Sequence, residues 1–164
     1  MAETRWLNDR EQAAWRAFRL ATLLLDGTVD RQLQRDADMP HAYYAILVGL
    51  SEQPDRTVRM GDLANWMNYS QSRLSHAIAK LERAGWVVRL PDPDDRRATL
   101  ASLTDAGHAA LTDAAPGHTE CVREYVFDQL TEAQVEQLRE ICEAMLVKLR
   151  ASREACQPED DSPA

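Results

Sequence analysis

Apolar residues recur along most of this chain at three- and four-residue spacing, and alternate with polar ones in only one short stretch. Trp15, Phe18, Thr22, Leu25, Val29 and Leu33 form a first stripe, and Asn8-Asp9-Arg10-Glu11 ahead of it has the form of a capping box. The pattern predicts a long helix over 8–36, with Gly27 as a weak point that costs about 1 kcal/mol relative to alanine. Pro40 suits the first turn of a second helix, whose buried face would be Tyr43, Ile46, Leu47 and Leu50, and Gln53-Pro54-Asp55 stops it. Thr57-Val58-Arg59 reads as a short extended piece. Met60, Leu63, Ala64 and Met67 form the face of a third helix, and Asn68-Tyr69-Ser70 is a turn whose serine caps a fourth helix to about Ala84. Leu74, Ala77, Ile78 and Leu81 make the apolar face of that fourth helix, and Gly85 follows at the position where helices favour glycine.

At Trp86 the period changes to two, which signals a strand to Leu90. Pro91-Asp92-Pro93-Asp94-Asp95 is a loop, and Arg97 to Leu103 is the returning strand. Thr104 caps a fifth helix that Pro116-Gly117 is expected to kink or break. Thr131-Glu132-Ala133-Gln134 is a second capping box. It opens a sixth helix with a heptad-like seam of Val135, Leu138, Cys142, Met145 and Leu149. The fold class expected is mainly α with a small β wing, in one domain over 1–153. The lobe would occupy 57–104, the long terminal helices 8–36 and 104–153, and a disordered acidic tail 154–164.

Composition narrows the class. A length of 164 residues suits one core, and no run of about 18 apolar residues is present, which argues against a membrane span. The N-terminus lacks the apolar segment of a signal peptide. Cys121, Cys142 and Cys156 are odd in number and widely spaced, so a reducing cytoplasm is the expected home. His41, His108 and His118 have no metal-ligand spacing, and no paired carboxylates, nucleophile–base set or phosphate-cradling glycine loop occurs. The expectation is a protein that is not an enzyme, without cofactor, metal or catalytic residue.

Charge changes the picture once it is divided by segment. The chain carries a net charge of −8, yet residues 56–104 hold eight lysines and arginines against five acids, while the remainder holds 11 against 22. A basic patch on an acidic body attracts phosphate at short range because salt screens distant charges beyond about 8–10 Å. On the fourth helix, Gln71, Ser72, Arg73, Ser75, His76 and Lys80 oppose the apolar face, and no acid occurs between Tyr69 and Leu81. Short polar side chains with an arginine in the first turn suit a helix entering the major groove, where Arg73 can fork onto guanine and Gln71 onto adenine. Arg96 and Arg97 lie just past the loop tip and Arg89 on the incoming strand, placed to reach a minor groove. Asp95 stands two residues from Arg97 and is expected to orient its guanidinium.

These residues resemble the MarR family of winged helix-turn-helix regulators. The resemblance rests on Asp62-Leu63-Ala64, on Lys80-Leu81-Glu82-Arg83-Ala84-Gly85-Trp86-Val87, and on the run from Asp92 to Gly107. In that run Asp95 and Arg97 take the Asp-x-Arg places of the wing, ahead of Leu103-Thr104-Asp105-Ala106-Gly107. The resemblance implies a homodimer held by the terminal helices, a pseudo-palindromic operator of double-stranded DNA, and repression relieved by a small molecule or by oxidation. The dimer residues would be Trp15, Leu25, Leu138, Cys142, Met145 and Leu149. An aromatic or anionic effector would sit near Trp15, Phe18, His41, Tyr43 and Tyr44, with Trp66 a further aromatic candidate. The family's peroxide-sensing branch uses a cysteine in the N-terminal helix, and none stands here before Cys121. The alternative is a winged-helix module that binds protein without specific DNA binding.

Overall fold

A computed structural model describes residues 4–95 and 97–154. Arg96 and residues 155–164 of the tail expected over 154–164 lie outside the described residues. Helix α1 (Asp9–Ala37) opens on the expected capping box: the Asn8 side chain accepts the Glu11 amide at 3.0 Å, and Glu11 accepts the Asn8 amide at 2.8 Å. It closes on Asp38 in the left-handed region (φ 48°), with the Asp38 amide on Gln34 and the Met39 amide on Leu33. Helix α2 (His41–Ser51), strand β1 (Thr57–Arg59) and the short helix α3 (Met60–Trp66) follow. Helix α4 (Gln71–Arg83) begins at Ser70, whose hydroxyl accepts the Arg73 amide at 3.2 Å. Strands β2 (Val87–Pro91) and β3 (Thr99–Leu103) form the hairpin. The sheet is antiparallel in the order β1-β3-β2, with Val58 and Arg89 both opposite Ala101.

The core lies where the stripes meet. Leu33 and Met39, with Ile46, Leu47 and Leu50 of α2, pack in one cluster with Leu63 of α3 and Leu74, Ile78 and Leu81 of α4. Burial of such side chains contributes about 1.5–3 kcal/mol each. The α2 face differs from expectation by one residue: Tyr44 is buried and Tyr43 only half-buried. Leu25, Val29 and Leu33 pack on the chain's own core, whereas Trp15 and Phe18 remain 54% and 41% exposed.

The junction after the hairpin explains a motif. The Thr104 hydroxyl donates to the Gly85 carbonyl at 2.7 Å and accepts the Gly107 amide at 3.0 Å. It ties the end of α4 to the start of α5 (Asp105–Tyr125). A Cβ on Gly107 would stand 2.1 Å from the Trp86 carbonyl oxygen, so only glycine admits this packing. Of the kink or break expected at Pro116-Gly117, the break does not occur: α5 continues through Pro116. Pro116 lies on the exposed side, while buried Leu111, Ala114 and Cys121 hold the turns on both sides of it.

The chain divides into two compact units, 1–121 and 122–164. Within the second, Thr131 and Gln134 form the expected capping box, and α6 (Glu132–Glu154) follows. Arg139 bridges Glu136 and Glu143 along its polar side. Leu138, Ile141, Met145, Leu146 and Leu149 of α6 are exposed, and Cys142 is half-buried. Among the described residues no helix is long and apolar enough to cross a membrane.

Candidate nucleic-acid interface

Burying Leu74, Ala77, Ile78 and Leu81 fixes the rotation of α4 and turns its other side outward. Gln71, Ser72, Arg73, Ser75, His76 and Lys80 are all exposed there. Four residues, Met67–Ser70, join α3 to α4, and the turn is made by Asn68 in the left-handed region (φ 54°). Arg73 lies over the Tyr69 ring, with its guanidinium carbon 4.0 Å from the centroid. A shallow groove between α4 and the hairpin is lined by Met60, Gln71, Ser72, Ser75, Arg89 and Thr99.

The wing is fastened at both edges. On one side Arg89 of β2 reaches back to α4: it pairs with Glu82 at 3.1 Å and donates to the Ser75 carbonyl at 2.8 Å. It therefore splints the wing to α4, a role the sequence did not indicate. On the other side Arg59 of β1 donates to Asp92 at 2.6 Å, and Asp92 also accepts the Asp94 amide at 2.9 Å. The Asp92 side chain is only 5% exposed. The Asp94 amide first, and then the Arg59 guanidinium, hold its carboxyl below the usual carboxylate range against the opposing effect of burial. Sequence reasoning missed this latch, because nothing local links positions 59 and 92. At the tip Asp95 accepts the Arg97 amide at 3.0 Å and makes no ion pair with the Arg97 guanidinium among the described residues. The aspartate shapes the turn, and the Arg97 side chain projects exposed.

A second groove, of about 350 Å³, opens beside α3. His41, Tyr44, Ala45, Val48, Gly49, Trp66, Met67 and His118 line it. It takes His41 and Tyr44 from the expected effector set, and Trp66 with them. Trp15, Phe18 and Tyr43 do not line it; the first two belong to the exposed N-terminal half of α1. His118 is the residue missed. Its ring lies 4.4 Å from that of Tyr44 and 5.9 Å from that of His41. Burial, and then the neighbouring His41, push its pKa down, and burial pushes the Tyr44 hydroxyl up. The His118 Nδ1 is buried with no hydrogen-bond partner among the described residues.

A short helix, a four-residue turn, a second helix with an outward polar face and a fastened hairpin define a winged helix-turn-helix. The MarR family model matches residues 37–98. Sco3205, a MarR family transcriptional regulator from Streptomyces coelicolor solved in complex with DNA, is 47% identical with a TM-score of 0.83, covering 96% of this chain and 94% of that one. AbsC, another MarR family regulator from the same organism, is 36% identical with a TM-score of 0.85, covering 90% of this chain and 99% of that one. The transcriptional repressor MprA of Escherichia coli K12 is 24% identical over 106 residues, 65% of this chain. The match spans 60% of that repressor's length. The chain belongs to the MarR family of transcriptional regulators.

Proposed function

We propose that this protein is a homodimeric, sequence-specific regulator of transcription acting in the cytoplasm. It binds a pseudo-palindromic operator through α4 and the wing and represses until a small ligand is bound. The observation that carries this reading is the outward face of α4, acid-free from Tyr69 to Leu81 with Arg73 in its first turn, set beside a fastened hairpin that presents Arg97. The DNA complex of Sco3205 and the repressor name of MprA support it. One lobe offers one helix and one wing, too few contacts for specific affinities near 10⁻⁸–10⁻¹¹ M. A two-fold dimer doubles them and requires half-sites about one helical turn apart.

The effector in this reading occupies the groove of His41, Tyr44, Trp66 and His118. Among the described residues no lysine or arginine lines it, and burial, then the neighbouring His41, lowers the His118 pKa and so disfavours its charged form. The groove therefore favours an uncharged aromatic molecule over an anion. Such a ligand acts only through unequal affinity for the DNA-competent and incompetent states.

Selection of bound duplexes from a random library tests the whole reading. The expected result is an inverted repeat, bound with affinity that falls steeply as salt rises. Enrichment of no sequence would favour a protein-binding module instead.

A further inference from the structure

Among the cations of the lobe, Arg73 is held differently from its neighbours. Arg59 gives its guanidinium to Asp92, and Arg89 gives its own to Glu82 and Ser75. Arg73 makes no ion pair and no side-chain hydrogen bond among the described residues. Its guanidinium carbon lies 4.0 Å from the centroid of the Tyr69 ring. The distinction matters for a side chain that must read a base. A carboxylate would occupy the same N–H edge that guanine O6 and N7 require. An aromatic face attracts the cation through its quadrupole and leaves the five donors free.

The platform is itself fixed. Tyr69 is half-buried against the core, and its amide donates to the Ala64 carbonyl at 2.9 Å. The residue before it is left-handed Asn68, and the residue after it is the cap Ser70, which holds the Arg73 amide. Both ends of the contact are thus tied to the helix-turn-helix backbone.

We infer that Tyr69 is a specificity-determining positioning residue, which holds the Arg73 guanidinium in one orientation with its donor edge unspent, so that one base pair of the operator is read. This rests on the proposed reading of α4 as the base-contacting helix.

The test is library selection with wild type, Tyr69→Phe, Tyr69→Leu and Arg73→Ala, scored for base preference at each operator position. Tyr69→Phe keeps the ring face and retains the wild-type preferences. Tyr69→Leu lowers preference by about two- to fivefold, the scale of an exposed cation–π contact, at the single position that Arg73→Ala flattens. Tyr69→Met replaces the leucine variant if that one does not fold. A Tyr69→Leu profile equal to wild type while Arg73→Ala flattens one position overturns the inference and leaves the reading of α4 intact. An even loss across all positions also overturns it, since that is what a merely structural residue produces. If Arg73→Ala flattens no position, the reading of Arg73 fails first, and the inference with it. Proton spectra of the free wild-type protein give a readout that needs no variant. The Arg73 side-chain protons are shifted upfield by the ring, and unshifted protons overturn the contact.

Discussion

His118 and His41 are 77 positions apart in the chain, and their rings lie 5.9 Å apart in the groove beside α3. The folded state holds the His118 pKa below its unfolded value of 6.5, through burial and then through His41. In that interval the unfolded chain binds more protons than the folded one. The stability contributed is therefore complete above pH 6.5 and is lost as pH falls through the lowered value. Thermal melts at pH 7.5 and 5.5 should show a drop for the wild type and a smaller drop for His118→Phe, and equal drops would exclude His118 as its source. The sequence pattern reached Tyr44 and His41 because they share a helix with an apolar face. It could not reach His118, because only tertiary packing brings α5 to α2. The pattern points to Tyr43 rather than Tyr44 for a related reason: a nearly all-apolar helix gives the period no sharp polar side to orient by.

At the scale of elements, the helices and strands are legible where local chemistry marks their ends: caps at Asn8, Ser70 and Thr131 open α1, α4 and α6, and the left-handed Gly85 follows α4. Pro116 was the exception. A local rule predicts a kink or a break, and packing by residues on both sides keeps α5 unbroken. What the pattern left out was how the wing is held. The Arg59–Asp92 latch joins the far edge of the sheet to the base of the wing loop, and the carboxylate is nearly inaccessible. Asp92→Asn or Arg59→Ala should weaken operator binding on the order of tenfold, the scale of a lost charged hydrogen bond. The double variant should be little worse than either single one. Band-retardation titrations of the four proteins decide this, and additive losses would show that the two residues act separately.

For the whole molecule, the signs of charge are sorted: the 56–104 segment is net basic while the rest of the chain carries twice as many acids as bases. Such a distribution draws phosphate to the 56–104 segment at short range and opposes non-specific contact elsewhere. Exposed apolar surface marks a second requirement. Leu138, Met145 and Leu149 of α6 stand open to solvent in the single chain, as do Trp15 and Phe18 of α1. Light scattering should give about twice the chain mass of 18.5 kDa at micromolar concentration. The double variant Leu138→Glu, Met145→Glu should scatter as a monomer and lose the operator. A wild type that scatters as a monomer would remove the palindrome from the proposal as well as the dimer.

Gly49 gives the groove a genetic consequence. A Cβ at that position would stand 2.3 Å from Cζ3 of Trp66, so alanine evicts the indole from its seat. Trp66 ends α3, three residues before Tyr69. The displaced ring would press on the turn ahead of α4, whose first residue, Met67, also lines the groove proposed for the effector. Constitutive alleles should therefore arise at codon 49, although its residue is buried in α2 and absent from the outward face of α4. In a strain carrying the operator ahead of a reporter, Gly49→Ala should keep the reporter switched on without inducer while the protein accumulates normally. Full silence of that reporter would mean that the seat of Trp66 is packing alone, with no bearing on heritable control of the operon.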